Sequence, residues 1–445
     1  MSFLGSMFRP EGQPPAMRPL SRSRPSIVSV LDIGTSKVCC LVARCTPREQ
    51  GNLLPGRTHL VEVVGYGHQR SQGVKGGAVV DVEAAERSIR QAVAAAERQA
   101  GVTVDSLIVN VSCGRVGSHA FRAEIDVLGR EIGGSDVREV LSSGAQAAVR
   151  GGRVVLHSLP VGFDVDGESG IRDPRGMVGE RLGVDMHVVD AEVGPPRNLE
   201  IAVNRAHLAV DAMVATPFAS GLAALVEDEA RIGCAAIDMG GGTTTISVFR
   251  DDRFVFADAV AVGGSHVTMD LARGLSTRLE DAERLKVLHA YAQSGAGSQM
   301  GDNDTVAVPP MSDDDREMSQ AVPRGLLAQI VTPRVEEIFE LIRDRLARSG
   351  LSGAIDDRVV LTGGASGLAG VTQVAERVLG ARVRLGRPLG IAGMPRQAKG
   401  AAFTTATGLL IYPQVAGFEE FAGVSAVAAS RGPLTRAASW LRTAW

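Results

Sequence analysis

Two glycine turns in this sequence have the residue types of phosphate-binding turns. Each follows an apolar stretch that ends in aspartate and precedes a second apolar stretch, a pattern that predicts a β-hairpin. Glycine at the bend lets backbone N–H groups converge on an anion, and Ser or Thr hydroxyls add donors. The first turn offers Asp32, Gly34, Thr35, Ser36 and Lys37; the second offers Asp238, Gly240, Gly241, Gly242, Thr243 and Thr244.

An aspartate beside phosphate is explained if Mg²⁺ lies between them. Since Mg²⁺ keeps several of its waters, we expect Asp32 and Asp238 to hold it through water. A single such turn is weak evidence, because Asp-Gly sequences also form ordinary hairpin loops. Two matching copies predict facing hairpins that hold one triphosphate. Their separation far exceeds a solenoid period and indicates duplication of a whole domain.

A third glycine element follows the strand pattern at Val359–Leu361. Gly363 and Gly364 would let the backbone lie flat against a nucleoside, although a helix cap that needs positive φ explains them equally. Upstream, Glu283 and Lys286 are one turn apart on a predicted helix and could contact the nucleoside. An exposed ion pair is the simpler interpretation of these two residues.

Composition excludes some functions. The chain has 445 residues, and Lys+Arg 47 against Asp+Glu 50 gives a net charge of −3, unlike a dedicated nucleic-acid binder. Five cysteines without CxxC spacing indicate buried apolar side chains in a reducing compartment and no metal site. No signal peptide is visible in the Pro- and Arg-containing start, so we expect synthesis and retention in the cytoplasm.

The elements that position these residues alternate between strand and helix patterns. Hairpins are predicted at Val28–Arg44 and Ala235–Phe249, and a buried strand at Leu107–Cys113. Val82–Ala100 predicts a helix capped by Asp81 and ended by Gly101. Residues 266–290 and 324–349 also predict helices, whereas the polar stretch 293–320 predicts a mobile loop.

The order hairpin, hairpin, Gly-Gly and helix resembles the superfamily of ATPases that contains actin, Hsp70 and sugar kinases. Within it, the chain is similar to the bacterial FtsA family of cell division proteins. The segments that carry the resemblance are KGGAVVDVEAAERSIRQAV, LHSLPVGFDVDGESGIRDPRGMVGERL, IDMGGGTTTISVF, EDAERLK, VTPRVEEIF, VLTGGASGLAGV and TATGLLIY, in that order. The resemblance covers about residues 27–411 and implies an α/β, actin-like two-domain ATPase fold of duplicated ribonuclease H-like domains with an inserted subdomain.

The resemblance also implies a division of the chain. Residues 27–105 and 184–214 would form the first core, 106–183 the inserted subdomain, 215–265 and 351–412 the second core, and 266–350 a smaller lobe. In the FtsA family the smaller lobe docks the C-terminal peptide of the tubulin homologue FtsZ. Arg334, after Pro333, matches the family's Pro-Arg position at a helix start in that groove, although solvated surface explains it equally.

The two ends of the chain differ from the middle. Residues 1–26 predict a disordered leader, and 413–430 a linker. Residues 431–445 predict an amphipathic helix with three arginines and no acid, and its apolar side and edge include Leu434, Trp440, Leu441 and Trp445. Cations with interfacial tryptophans favour a membrane anchor over packing on the chain's own domain, and FtsA tails end similarly.

These features predict an ATP–Mg²⁺-binding protein that is at most a slow ATPase. It would polymerise under the inner membrane at the division septum and anchor FtsZ filaments there, alongside other division proteins. A small-molecule kinase of the same superfamily is the first alternative, but it needs a carboxylate base that the sequence does not single out. A chaperone ATPase of the Hsp70 type needs a substrate domain, and only about thirty residues follow Tyr412.

Overall fold

The computed structural model describes residues 17, 20–48, 57–292, 304–312, 319–351 and 358–419. The predicted amphipathic helix, most of the predicted leader and most of the linker lie outside these residues.

The strands form two large sheets and two short hairpins. They are β1 Ser26–Ile33, β2 Lys37–Pro47, β3 His59–Arg70, β4 Val74–Lys75, β5 Ala78–Val79, β6 Ser106–Val111, β7 Gly117–Glu131, β8 Arg153–Val165, β9 Glu168–Ile171, β10 Val178–Glu192, β11 Ala209–Ala215, β12 Cys234–Met239, β13 Thr244–Arg250, β14 Arg253–Val260, β15 Thr305–Val308, β16 Gln320–Pro323, β17 Arg358–Thr362, β18 Arg382–Leu385 and β19 Ile391–Ala392.

The α-helices cover the sheets and connect their parallel strands. They are α1 Val82–Ala100, α2 Gly134–Ala147, α3 Gly194–Arg205, α4 Thr216–Ala224, α5 Glu227–Ile232, α6 Gly264–Gly274, α7 Leu279–Leu288, α8 Arg324–Ser349, α9 Val371–Leu379 and α10 Thr404–Ile411.

The predicted duplication is visible in the topology. The first sheet has the order β11-β6-β1-β2-β3-β19, and five strands of the second follow the same scheme as β18-β17-β12-β13-β14. In both, the opening hairpin is antiparallel, and its first strand pairs in parallel with a strand that arrives later in the chain. Such parallel pairs require a crossover, which helices supply. The structure therefore confirms two copies of one α/β core.

An inserted subdomain extends the second sheet. The long strand β10 pairs with β7 and β8, and one residue pair, Asp258 with Gly117, joins this sheet to β14. It has its own small core, which includes Val127, Val140 and Met186. The boundary predicted at residue 106 moves later, because β6 pairs in parallel with β1 and β11 and so belongs to the first sheet.

Helix prediction succeeds where the caps are strong. Helix α1 has the predicted bounds, since Asp81 accepts a hydrogen bond from the Ala84 N–H and Gly101 takes φ +67°. Helix α8 also has the predicted bounds. Residues 266–290 instead form two helices, α6 and α7. Part of the predicted loop at 293–320 folds, because β15 pairs antiparallel with β16.

The segments at both ends of the core contact it. Met17 and Leu20 pack against the first core, and His59 Nε2 lies 3.0 Å from the Ser21 carbonyl oxygen. At the other end, β19 pairs with β3, so the chain returns to the first sheet after β18. Helix α10, which follows, packs against α4 and β1. Leu20 and Ser21 of the predicted leader, and Val415 and Ala416 of the predicted linker, therefore contact the folded core.

Candidate nucleotide site

A cavity of about 570 Å³ lies between the two hairpins. It is bounded by the turns after β1 and β12, by α7, and by the segment after β17. The predicted binding residues that line it are Asp32, Gly34, Thr35, Ser36, Lys37, Asp238, Gly240, Gly241, Gly242, Thr243, Glu283, Lys286, Gly363 and Gly364. The fold thus brings four separate segments of the sequence to one place.

The two turns have the same backbone hydrogen bond. The Gly34 N–H donates to the Lys37 carbonyl at 2.9 Å, and the Gly240 N–H donates to the Thr243 carbonyl at 2.9 Å. Asp32 lies opposite Cys39 in the first hairpin, and Asp238 lies opposite Thr245 in the second. Each residue of the first hairpin named here has its counterpart 206 residues later in the second, which is the separation of the two aspartates, because 238 − 32 = 206.

The turns face each other across the cavity at close range. A Cβ placed on Gly241 would lie 2.2 Å from Ser36 Oγ, and one placed on Gly242 would lie 2.4 Å from Thr35 Oγ1. Any larger residue at these two positions would push the hairpins apart. Glycine at these two positions is therefore explained by the close approach of the two halves, since neither residue has a positive φ.

The first turn carries its own counterion. Lys37 Nζ lies 2.5 Å from Asp32 Oδ2 and 5.1 Å from the centre of the Phe403 ring. Burial is the largest single effect on the pKa of Lys37 and lowers it, but Asp32, Cys39 and Asp238 together raise it above its usual value, so the ammonium stays charged. This cation lines the cavity, where it can also contact a phosphate.

The second turn has no such cation. Asp238 is 6% exposed, and its Oδ2 accepts a hydrogen bond from Thr405 Oγ1 at 2.8 Å. Burial raises the pKa of Asp238 to about 6, and the nearby Asp32 adds to the rise despite the hydrogen bond from Thr405. A carboxylate in this state gains most from a cation that arrives with a ligand.

The glycine pair after β17 contacts Asp238 directly. Gly363 has φ +88°, and a Cβ placed on it would lie 2.3 Å from Asp238 Oδ1. Gly364 begins a short 3₁₀ helix instead of the predicted α-helix, which starts later at Val371. A side chain at residue 363 would therefore displace the carboxylate that the second hairpin presents.

The ion pair between Glu283 and Lys286 is present, and both residues also line the cavity. Lys286 Nζ lies 2.6 Å from Glu283 Oε2 and donates to Thr268 Oγ1 at 2.8 Å. It also donates to the Gly264 carbonyl at 3.1 Å, next to the second turn. The two interpretations of these residues, an ion pair and a contact with the nucleoside, thus involve the same pair of side chains.

Thr244 is the predicted residue that does not line the cavity. Its hydroxyl is buried and donates to the Val262 carbonyl at 2.8 Å. Side chains alternate along β13, so Thr245 faces the cavity instead. Thr245 Oγ1 is buried without a hydrogen-bond partner in the described structure.

Sequence reasoning missed the polar residues that back the two aspartates. Asn110 Oδ1 accepts from the Ile33 N–H at 2.7 Å, and Asn110 Nδ2 donates to Thr216 Oγ1 at 3.2 Å. Both residues line the cavity, as does Thr405. One signal was available, since Asn110 interrupts the otherwise apolar strand pattern SLIVNV.

These residues fit Mg²⁺ with a nucleotide. Hard cations prefer oxygen donors, and the cavity offers the Asp32 and Asp238 carboxylates together with the unpartnered Thr245 hydroxyl. Among the described residues, no group of three or more His, Cys, Asp or Glu could hold a metal alone. That Mg²⁺ is held through water and through the phosphates of its ligand stays a prediction.

Arg334 lies away from this cavity and not at a helix start, which corrects the prediction. It is in the interior of α8, and Pro333 precedes it inside the same helix. Its guanidinium donates to Asp270 Oδ2 at 2.7 Å and also contacts Glu337. The hydrogen bond that Arg334 donates to Asp270 raises the pKa of the guanidinium above its usual value.

All five cysteines are buried and free, as predicted. Burial raises the pKa of the Cys39 thiol to about 12, so this sulfur is protonated and unreactive although it neighbours the first turn.

Comparison with known proteins places the whole chain in one group. The family model described as cell division protein FtsA matches residues 235–408, and the model described as the SHS2 domain inserted in FtsA matches residues 114–190. Cell division protein FtsA of Rhizobium meliloti strain 1021 is 55% identical over 96% of this chain and 97% of its own length. The FtsA of Escherichia coli K12 is 30% identical over 94% of this chain and 97% of its own length.

Solved structures agree on the fold. The type IV pilus biogenesis complex PilM–PilN aligns with a TM-score of 0.59 and 17% identity, over 87% of this chain and 98% of that one. MreB 5 of Spiroplasma citri bound to AMPPNP aligns with a TM-score of 0.52 and 12% identity, over 89% and 97%. At these identities the likeness supports the actin-like fold alone.

Proposed function

This chain belongs to the FtsA family of cell division proteins, and from that membership we propose that it binds Mg²⁺–ATP and tethers FtsZ filaments to the inner membrane at the septum. The observation that carries the nucleotide part is the pair of matching turns that face each other across one cavity. Nucleotide bound to both turns would stabilise the closed cleft, and closed molecules would assemble into filaments.

The residues divide the work of binding. Mg²⁺, when bound, supplies positive charge between the phosphates and the carboxylates of Asp32 and Asp238. The backbone N–H groups of both turns donate to phosphate, and Lys37 adds a fixed cation. Gly363, Gly364, Glu283 and Lys286 surround the nucleoside. Hydrolysis would act as a slow timer at most.

A kinase is less well supported. The carboxylates that line the cavity are Asp32, Asp238 and Glu283, and each already has a partner: Lys37, Thr405 and Lys286 respectively. A kinase base must be free to accept a proton from the substrate hydroxyl.

The FtsZ contact is proposed at the smaller lobe, where Arg334 lies. Its side chain is only 27% exposed and is already held by Asp270 and Glu337. An acidic peptide would therefore bind at Arg334 by sharing or displacing these carboxylates, which makes the pair with Asp270 part of the proposed docking site.

The membrane contact is proposed for residues 431–445, with Leu434, Trp440, Leu441 and Trp445 inserted between lipids. No helix in the described part of the chain is long and apolar enough to cross a membrane. A single short helix binds weakly, so assembly of many chains on one surface would raise the avidity.

Co-sedimentation of the full chain with liposomes, with and without ATP and FtsZ, tests this proposal. We expect pelleting of the protein with anionic liposomes, and recruitment of FtsZ to the same pellet. Trp440→Glu should move the protein to the supernatant, whereas Trp440→Phe should not. Unchanged pelleting of Trp440→Glu would contradict the anchor.

The FtsZ contact has its own control in the same assay. Arg334→Glu should reduce the FtsZ in the pellet without reducing the protein itself, and Arg348→Glu, an exposed change on the same helix, should not. Equal FtsZ recruitment by both variants would remove Arg334 from the proposed site.

A further inference from the structure

A second cavity, of about 770 Å³, lies on another side of the molecule. Its walls are β8 of the inserted subdomain, α4, the turn between β13 and β14, and the C-terminal segment 411–418. It shares no lining residue with the nucleotide cavity. Its volume falls within the range of about 300–1,000 Å³ that small-molecule sites occupy.

The lining of this cavity is aromatic in a chain that is poor in aromatic residues. The sequence contains 12 phenylalanines, and five of them line it: Phe163, Phe218, Phe249, Phe254 and Phe418. Phe218 and Phe254 stack with ring centroids 4.6 Å apart, and Phe249 and Phe254 stack at 5.2 Å. Aromatic walls of this kind suit an apolar ligand body.

The rim carries three arginines that form no ion pair in the described part of the chain. Arg57, Arg172 and Arg253 line the cavity, and none forms an ion pair within the described residues. The acids nearby are already paired, because Asp173 binds Arg175 and both Glu227 and Asp252 bind Arg231.

Two of these cations are partly desolvated. Burial lowers the pKa of Arg253, the charge of Arg172 lowers it further, and the charge of Asp251 offsets only part of this fall. Burial lowers the pKa of Arg57 to about 10, although its guanidinium donates to the Leu222 carbonyl at 2.9 Å. A desolvated cation is unfavourable unless an anion compensates it, so an anion at Arg253 would offset this cost.

Buried hydrogen bonds hold the C-terminal wall in place. Glu419 lies 2.7 Å from His157 Nδ1 and accepts from the Tyr412 hydroxyl at 3.0 Å. His157 Nε2 in turn accepts from the Ala215 N–H at 2.8 Å, which leaves Nδ1 as the donor to Glu419. The Glu419 side chain is 1% exposed. Segment 411–418 is thus fixed at both ends, and the cavity is preformed.

We propose that this cavity binds an anionic amphiphile, with an acyl chain against the phenylalanines and a carboxylate or phosphate at Arg253 and Arg172. Charge complementarity selects the anion, and the aromatic lining selects the chain. A free fatty acid and an anionic phospholipid share this chemistry. The site lies beside the point where the chain continues toward residues 431–445, and it goes beyond the proposed function because it uses neither the nucleotide site nor that segment.

Equilibrium dialysis of the full chain tests the proposal with three probes below their micelle concentrations. Dodecanoate represents a free fatty acid, dihexanoyl phosphatidylglycerol represents a phospholipid, and dodecyltrimethylammonium is the cationic control. We expect saturable binding of one equivalent of at least one anionic probe, about tenfold tighter than the cation. Which anionic probe binds identifies the source.

Matched variants locate the binding. Arg253→Glu should weaken the anionic probe about tenfold or more, whereas Arg250→Glu, an exposed arginine of the same hairpin outside the cavity, should change it less than about twofold. Leu222→Trp should fill the cavity and abolish binding. Equal affinity for the cation, equal losses in Arg253→Glu and Arg250→Glu, or binding that Leu222→Trp leaves intact would each overturn the proposal.

ATP binding measured on the same samples separates this site from the nucleotide site. Arg253→Glu should retain the ATP affinity of the unaltered chain, which also shows that the variant is folded. Loss of amphiphile binding with ATP binding intact concerns only the second cavity, and the reverse concerns only the proposed nucleotide function.

Discussion

The first turn, Gly34–Lys37, ends in a cation, whereas the second, Gly240–Thr243, contains none. The backbone hydrogen bonds of the two turns are the same, and so are the strands that flank them. The electrostatics differ, because Asp32 forms an ion pair with Lys37, whereas Asp238 accepts a hydrogen bond from Thr405, interacts with Lys37 without forming an ion pair, and has a pKa of about 6. Duplication has kept the turn, and the two halves have taken different charges.

This difference suggests a division of labour. The first half presents a fixed positive charge to a phosphate even before a ligand arrives. The second half presents a carboxylate whose ionisation is costly until a cation comes with the ligand. Asp238 is therefore a stronger candidate than Asp32 for the contact with Mg²⁺, although both line the cavity.

The largest effect is expected from removal of the ion pair in the first turn. Lys37→Met should lower the stability of the unliganded chain by about 3 kcal/mol, because it leaves the buried Asp32 carboxylate without its partner. Chemical denaturation measures this loss. The double variant Lys37→Met/Asp32→Asn should recover most of it, and a double variant as unstable as Lys37→Met alone would contradict the pairing.

In the second half, removal of the charged side chain is expected to raise the stability of the unliganded chain instead of lowering it. The pKa of Asp238 is about 6 in the folded chain, against 3.8 for an ordinary aspartate such as that of the unfolded chain, so the native chain binds more protons between these values. Stability should therefore fall as pH rises through this window, and the penalty should be complete above pH about 6. Asp238→Asn should raise the stability of the unliganded chain at pH 7.5 by up to about 3 kcal/mol.

Asp238→Asn should also weaken Mg²⁺–ATP binding by about 10- to 100-fold, the usual cost of losing a residue that holds a metal through another ligand. Titration with ATP in Mg²⁺ and in EDTA measures this, and the deficit should vanish in EDTA.

The gain in stability of Asp238→Asn should shrink toward zero as the pH falls to about 4. A gain that is equal at pH 4 and pH 7.5 would show that Asp238 titrates normally.

The smallest effect is expected from removal of the Thr405 hydroxyl, which donates to Asp238. Thr405→Val removes the hydrogen bond that lowers the pKa of Asp238, so this pKa should rise further. Mg²⁺–ATP affinity should fall about fivefold, the worth of one hydrogen bond of about 1 kcal/mol, and the loss should grow below pH 7. Thr407→Val on the same helix is the matched control. A loss independent of pH would indicate packing rather than positioning.

Much of the fold followed from local patterns. Helix α1 is defined by Asp81 and Gly101, and both hairpins by alternating apolar residues around an Asp-Gly turn. Each of the two turns consists of a few consecutive residues, so the sequence alone predicted a cavity between them. The miss at Arg334 was local, because the helix predicted over residues 324–349 already contained this residue and so did not begin at it. The pairing of β16 with β15 depends instead on a contact between residues that are apart in sequence.

By itself the sequence determined the turns, the strand alternation around them and their duplication, because each depends on neighbours in the chain. Only the tertiary structure decided which threonine faces the cavity, which aspartate lacks a cation, and where residues 413–419 lie. Those properties depend on burial and on partners far away in sequence, such as Thr405 at Asp238 and His157 at Glu419. The cost of burying a charge is set by everything that surrounds it, and no local pattern records that environment.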